Sequence, residues 1–490
     1  MKILLIQPPW YGFQNIISQR LYLGLAYLAA VLEKNNHEVA IFNGELFFDN
    51  LNNQNENLQI DGESYSKNFS PDHSVYKKIL QAVKDFNPDI VGLSFMTANS
   101  NSAYILAKQL KEFNPNLPLI AGGTHSTLMP EEPLLKSVFD YVVRGEGEKT
   151  ILELVETIAK KGKPDNILGL SLKQNNKIIH NSNRPMIENL DELPFPAFHL
   201  IKNSSKHVSS CKGIIASRGC PFECYYCASK LIWTRKVRFR SAKNVVEEII
   251  DRHQRLGITS FAFHDDTFTL RNDFVQEFCK RVLELDFKIS WNCDTRGDTL
   301  NFQLLKLMKK AGCKHIFLGL ESGSPKIQKM IKKNLATEKV EVAVRSARRA
   351  GIETTVYFMV GFPEETEEDI QLSITAMKDI KPDHAIWSIL TPYPGTAVWQ
   401  IAKDQGLIDE KNINWQEFFH HYNRGSLFNS LPQNSWNKIL KTIADEQNKI
   451  EKRLSLIKIK NKLTAIINLI KTGLNNPNQI LNYFKKRVLK

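Results

Sequence analysis

No uninterrupted apolar run in this 490-residue chain approaches the roughly 20 residues needed to cross a bilayer. The opening Met1-Lys2-Ile3-Leu4-Leu5-Ile6-Gln7 has no charged leader, apolar segment and cleavage site, so a reducing cytoplasm is expected. Cysteine is scarce and odd in number, seven in all, which with that compartment argues against disulfides. Acidic residues are missing from Lys452 to Lys490, a stretch with ten Lys or Arg, so the net charge of +13 leaves only +3 for residues 1–451. The basicity belongs to a tail, and a nearly neutral body makes nucleic acid an unpromising partner. What is present is ordinary for a globular protein, 42% hydrophobic and 24% charged, and the length predicts roughly three domains at about 150 residues each.

Three cysteines stand together in Ser217-Arg218-Gly219-Cys220-Pro221-Phe222-Glu223-Cys224-Tyr225-Tyr226-Cys227-Ala228-Ser229. Thiolates separated by three and then two residues can wrap one corner of a cubane and hold three irons, leaving the fourth without a protein ligand. Electron-transfer clusters normally have all four irons capped, so an open iron points to a small molecule as the last ligand. The alternative is a zinc site recruiting Cys211, although such sites usually join two short Cys/His pairs and here one triplet stands alone. Cys279, Cys293 and Cys313 fall within helix and strand patterns and are expected in the core. The triplet, with an aromatic residue before its last cysteine, resembles that of the radical S-adenosylmethionine (SAM) superfamily. The resemblance implies that Cys220, Cys224 and Cys227 hold a [4Fe-4S] cluster whose open iron binds SAM and whose electron cleaves it to a 5'-deoxyadenosyl radical.

Residues 1–150 alternate short apolar runs with helical patterns, which predicts a parallel sheet covered on both faces. Five strands are expected, at Ile3 to Gln7, Val39 to Phe42, Ile90 to Ser94, Pro118 to Ala121 and Tyr141 to Val143. Ligands of doubly wound sheets bind beyond the carboxyl ends of the strands. There lie Ser94 to Thr97, Gly122-Gly123-Thr124-His125 and Gly145-Glu146-Gly147-Glu148. Alone these fit a generic nucleotide-binding or flavodoxin-like domain. Ahead of a radical SAM core they resemble a cobalamin-binding domain, with Ser94, Thr97, Gly122, Gly123, Gly145 and Glu146 implied as cobalamin contacts. Residues 8–24 contain neither Asp nor His, so the Asp-x-His-x-x-Gly loop that ligates cobalt in many cobalamin proteins is missing and no histidine from it is expected on the metal. His125 reads as a loop residue, with cobalt ligation as its sharper alternative.

After a connector at 163–208, six strand candidates alternate with helices from Gly213 to Leu390, predicting a partial (β/α)6 TIM-type barrel with its chemistry at strand C-terminal ends. His264-Asp265-Asp266-Thr267-Phe268, Trp291-Asn292-Cys293-Asp294-Thr295-Arg296, Gly319-Leu320-Glu321-Ser322-Gly323-Ser324 and Gly361-Phe362-Pro363-Glu364-Glu365-Thr366 stand at those ends. Together they resemble the cobalamin-dependent radical SAM class over roughly residues 1–400. SAM needs a carboxylate for its ammonium or ribose, a cation near its carboxylate and backbone edges for its adenine. Glu321 and Arg296 suit the first two roles and the strand around Phe358 to Val360 the third; Asp265 and Asp266 are either SAM contacts or turn caps.

The chain is therefore expected to be α/β: a Rossmann-like doubly wound cobalamin-binding domain (1–162), the connector, a radical SAM core (209–400), a helical cap region (401–451) and a basic amphipathic tail (452–490). Trp399, Trp415, Phe418 and Phe419 are available to close the barrel. The tail, with Leu454, Leu456 and Ile457 among Lys452, Arg453 and Lys458, reads best as a peripheral contact with an anionic membrane. The resemblance implies methylation of an unactivated carbon with flavodoxin or ferredoxin as reductant, and the basic amphipathic tail points to a hydrophobic or membrane-associated substrate. It also admits a cobalamin-dependent oxidative cyclase without methyl transfer, and a non-catalytic cobalamin or metal sensor is the contrasting class.

Overall fold

The computed structural model describes residues 1–14, 16, 21–48, 62–136, 138–202, 211–410, 412–415, 418, 427–428 and 431–473. Seven strands form the first sheet: β1 (Lys2–Gln7), β2 (Glu38–Asn43), β3 (Ile90–Ser94), β4 (Leu119–Gly122), β5 (Tyr141–Val143), β6 (Leu170–Gln174) and β7 (Lys177–His180). Their order is β2-β1-β3-β4-β5-β6-β7; β1 to β5 pair in parallel and β6 and β7 antiparallel. The helices of this part are α1 (Leu23–Lys34), α2 (Gly62–Asn68), α3 (Ser74–Phe86), α4 (Ser100–Phe113), α5 (Thr124–Leu128), α6 (Glu131–Lys136) and α7 (Gly147–Ala159). Both faces of the sheet are buried, Ile3 and Leu5 in one core and Leu4 and Ile6 in the other, which is why its strands read as unbroken apolar runs. The 2-1-3-4-5 order of the parallel strands places the topological switch, where such sheets take ligands, between β1 and β3.

The connector is the first correction. Residues 170–174 and 177–180 within it are β6 and β7, which extend the first sheet by two antiparallel strands, seven in place of the expected five. Strand β6 lies between β5 and β7, and only β7 is an edge strand, paired on one side.

The second half holds β8 (Gly213–Ile214), β9 (Ser217–Arg218), β10 (Arg238–Phe239), β11 (Ser260–Phe263), β12 (Ser290–Thr295), β13 (Cys313–Glu321), β14 (Glu353–Val360) and β15 (His384–Ile389). Six of them form a parallel sheet in chain order, β15-β14-β13-β12-β11-β8, while β9 and β10 make a small antiparallel ladder. Its helices are α8 (Ser229–Trp233), α9 (Ala242–Leu256), α10 (Asn272–Leu283), α11 (Phe302–Lys310), α12 (Pro325–Met330), α13 (Thr337–Ala350), α14 (Glu367–Ile380), α15 (Ala397–Asp404) and α16 (Gln433–Gly473). Local signals set their ends: Ser241 caps α9 through the Asn244 amide, Gly257 and Gly351 close α9 and α13 in the left-handed conformation, and Thr366 with Asp369 forms a capping box on α14.

One hydrophobic core runs through both halves, from Ile3, Leu25 and Ala29 to Ile214, Phe263 and Leu318. Cys211, Cys279, Cys293 and Cys313 are all buried in it. Helix α16 is continuous through residues 451 and 452, so the expected boundary between cap and tail falls inside one helix. Phe419 and residues 474–490 of the tail lie outside the described residues. No described helix is long and apolar enough to cross a membrane.

Candidate active site between two sheets

The cysteine loop leaves β9 at Gly219, whose φ of +109° and close approach to the Lys236 carbonyl, 2.6 Å from a would-be Cβ, require glycine. Its neighbours brace it from several sides. The Arg296 guanidinium lies 3.8 Å from the centre of the Phe222 ring and is itself fixed by Asp298 and the Lys333 carbonyl. Buried Asp265 accepts from the Ala216 amide at 3.0 Å and the Ser217 hydroxyl at 2.5 Å, and Asp266 accepts from Ser229, two residues after Cys227, at 2.5 Å. In this arrangement both Asp carboxylates hold the flanks of the loop. Burial pushes the Asp265 carboxyl up to about 6 and the Cys227 thiol up to about 11, with Asp266 and the other thiols adding to the latter. Thiols so placed deprotonate when a cationic metal unit takes them as ligands.

Glu321 ends β13 with φ +73°. A non-glycine residue held there stores on the order of 1–3 kcal/mol, and the surroundings enforce it: Gln328 donates to the Leu320 and Ser322 carbonyls, and Ser324 donates to Asp369. The carboxylate accepts from Lys333 at 3.0 Å, each side chain 10% exposed. Burial works to lower the Lys333 ammonium, but Glu321 and the Cys224 thiol hold it above the usual lysine value. Gly319 makes room for the pair, since a Cβ there would lie 2.4 Å from Glu321 Oε1 and 2.8 Å from Lys333 Nζ. Lys333 escaped the sequence analysis because it sits in a turn after α12 with no motif around it.

The Phe358 and Val360 side chains point away from this centre. Both are fully buried on the helix-facing side of β14, Phe358 stacked on Trp387 at 4.7 Å. With a two-residue period, Thr355, Tyr357 and Met359 take the opposite face, in register with His384, Ile386 and Ser388 of β15. On that same face of β12 and β13 lie Asn292 beside His315 and Asp294 beside Phe317. His315 bonds Thr355 at 2.7 Å and stacks on Phe317 at 4.5 Å. The concave face of the barrel is therefore mixed polar and aromatic.

In the first sheet the expected cobalamin residues gather at the C-terminal edge. A Cβ on Gly122 would meet only the Leu93 carbonyl, at 4.0 Å, and one on Gly145 would meet nothing within 4 Å, so this edge leaves room for a bulky ligand. Gly123 has φ +93° and sits 2.5 Å, from its would-be Cβ, to the Phe95 carbonyl, close beside Ser94. Thr97 is buried and bonds His125 Nδ1 at 3.2 Å; Glu132 and Tyr104 reach Nε2, each at 3.2 Å. The Trp415 ring covers His125 at 4.9 Å and donates to Glu132 at 2.7 Å, so both imidazole nitrogens are engaged and the residue is sealed in the fold. In place of an Asp-x-His loop after β1, the Trp10, Tyr11 and Gly12 amides donate to buried Glu45, whose carboxyl burial pushes up to about 7.

Glu146 turns back from this edge toward the barrel. Arg218 donates to Glu146 at 2.7 Å and to Glu148 at 2.6 Å, and Arg238 to Glu146 at 2.8 Å, with all four side chains buried. The Ile187 amide donates to Glu146 at 2.6 Å, and Tyr27 and Trp233 flank the Arg218 guanidinium at 5.3 Å each. The sequence offered a signal in Arg218, two residues before Cys220, but gave no hint of its partners. Nearby, α5 packs on α8, and Gly395 fits between Leu231 and Leu128. Three thiols on one loop and an open glycine edge on the facing sheet fit an iron-sulfur cluster and a flat, bulky cofactor respectively.

Comparison with known proteins agrees. Residues 214–376 match the Radical SAM superfamily and residues 21–155 the B12 binding domain. An uncharacterized methyltransferase of Pyrococcus horikoshii is 35% identical over 423 residues, 85% of this chain and 86% of that protein. The anaerobic magnesium-protoporphyrin IX monomethyl ester cyclase of Cereibacter sphaeroides is 30% identical, over 68% of this chain and 56% of its own length. In fold the chain is similar to the radical SAM methyltransferase TsrM of Kitasatospora setae, with a TM-score of 0.65 and 16% identity over 83% of this chain and 76% of that one. The chain belongs to the radical SAM enzymes that carry a B12 binding domain, a family rich in methyltransferases, and its cofactors are a [4Fe-4S] cluster, SAM and cobalamin.

Proposed function

We propose that this enzyme methylates an unactivated carbon of a small molecule seated between the two sheets. The observation that carries it is the meeting of the cysteine loop with the open glycine edge of the first sheet, through Arg218, Glu146 and Glu148. When bound, the cluster supplies the electron that cleaves SAM and cobalamin carries the methyl group. Cys220, Cys224 and Cys227 would hold the cluster. Glu321 and Lys333 are placed beside that loop to receive the ammonium and carboxylate of SAM, and the backbone from Phe358 to Val360 remains the proposed adenine edge. Arg296 serves the site by fixing Phe222, and Asp265 and Asp266 by fixing the loop's ends. On the first sheet Ser94, Gly122, Gly123 and Gly145 line the proposed cobalamin edge, with Thr97 acting through His125; Glu146 is reassigned to the contact between sheets.

The concave face carries Asn292, Asp294, His315, Thr355 and His384 beside Phe317 and Tyr357, a mixed lining that supports a substrate with both polar and apolar parts. The proposed reductant is a flavodoxin or ferredoxin. The exposed Leu456 and Ile459, on the stretch of α16 from Lys452 onward that contains Lys and Arg but no Asp or Glu, support docking of α16 on an anionic lipid surface. Co-sedimentation with phosphatidylglycerol vesicles but not phosphatidylcholine vesicles tests that docking.

The test of function is anaerobic reconstitution with iron, sulfide and cobalamin followed by SAM turnover under dithionite. About four irons and one cobalamin per chain, with S-adenosylhomocysteine and deoxyadenosine both released, support the methyltransferase. Deoxyadenosine without S-adenosylhomocysteine supports the oxidative cyclase class, and intact SAM supports a non-catalytic sensor.

A further inference from the structure

We propose that Arg218, gripping Glu148 and Glu146, is a positioning residue that sets the separation between the cluster-binding loop and the cobalamin-binding edge. The inference rests on the two-cofactor assignment above. Its basis is how short the covalent paths are on either side. Arg218 is two residues from Cys220 in Arg218-Gly219-Cys220, and Glu146 directly follows Gly145, whose side faces open space. The fork of Arg218 spans two carboxylates at the start of α7, at 2.7 and 2.6 Å, and a bidentate guanidinium fixes direction as well as distance. Arg238 and the Ile187 amide saturate the rest of Glu146, while Tyr27 from α1 and Trp233 from α8 hold the guanidinium plane from either side. The four charges balance, so the cluster costs less to bury than an unpaired ion, though a well-packed apolar contact would serve adhesion alone as well or better. A directional charged clamp is what an interface needs when the atoms it carries must meet at fixed distance, since an error near 1 Å in such placement costs about a hundredfold in rate.

The experiment compares wild type with Glu148→Gln and Arg218→Lys, each reconstituted as the holoenzyme. Glu148→Gln keeps the volume and leaves the Arg218–Glu146 pair intact; Arg218→Lys keeps the charge and loses the fork. Three readouts are taken: iron and cobalamin content with the melting temperature; deoxyadenosine and S-adenosylhomocysteine release; and the electron paramagnetic dipolar coupling between cob(II)alamin and the reduced cluster. The expected result for Glu148→Gln is wild-type cofactor content and deoxyadenosine release, a broadened or weakened dipolar coupling, and S-adenosylhomocysteine release down about tenfold or more. An unchanged coupling in both variants overturns the proposal. So does a parallel fall of cofactor content, melting temperature and both products, which would make the clamp purely structural. Wild-type protein that releases deoxyadenosine alone overturns methyl transfer, while the dipolar measurement still decides the clamp.

Discussion

Replacing Lys333 by Met isolates the buried pair at the end of β13. The substitution keeps a flexible chain of similar volume and removes the ammonium that Glu321 accepts from at 3.0 Å. Both side chains are 10% exposed, so water can do little to replace the lost partner. Removing one member of a buried pair costs about 3–5 kcal/mol, and the lower end is expected here because the pair retains some contact with solvent. Glu321 has no second basic partner among the described ion pairs, so its carboxylate is left to protonate or to open the loop. In thermal melts of the apo protein at neutral pH, about 3 kcal/mol corresponds to a fall of about 3 °C, because the unfolding entropy of a chain of 490 residues is roughly 1 kcal/mol/K. Adding Glu321→Gln removes the stranded charge, and the double variant should recover about 2 kcal/mol of that loss as coupling energy. SAM cleavage should be lost in all three variants, separating the site from its stability. Single-variant losses below about 1 kcal/mol that add in the double variant would place the pair in solvent and refute the reasoning.

Four further outcomes follow from the same geometry. Cys220→Ala, Cys224→Ala and Cys227→Ala should each abolish SAM cleavage and cluster absorbance while leaving cobalamin bound, as visible spectra would report. Glu321→Gly should melt later than Glu321→Ala, because both lose the carboxylate and only glycine relieves the left-handed backbone, a difference of about 1 kcal/mol. Gly123→Ala forces a Cβ to 2.5 Å from the Phe95 carbonyl in a backbone region L-residues avoid; equilibrium dialysis should show cobalamin retention reduced with the cluster unaffected. Burial pushes the Glu365 carboxyl, which accepts from the Gly361 and Phe362 amides, up to about 8, above its ordinary value. A group raised on folding contributes fully below its unfolded pKa and loses that contribution as pH rises through the folded one. Glu365→Gln should therefore melt with wild type near pH 4 and increasingly above it as pH rises from about 4.5 to about 8.

What the sequence determined by itself was whatever is local or repeated. The cysteine spacing named its chemistry because three ligands to one cluster must be close along the chain. The strand-helix alternation gave six barrel strands in their observed order, since apolar runs separated by helices of this length leave few other ways to bury both faces of a sheet. Helices α9 and α13 stop at Gly257 and Gly351, a local signal that needs no tertiary contact. Pairings across long separations were not legible: Glu146 meets Arg218 over 72 residues, and Trp415 meets Glu132 over 283. Nothing in a glutamate after a glycine says whether it faces a ligand or an arginine on another sheet, and the two-residue period in β14 shows which residues share a face without saying which face is concave. The tertiary structure decided those matters, because packing the two halves against each other selects the partner of each buried charge, and no unpaired one is cheap to keep.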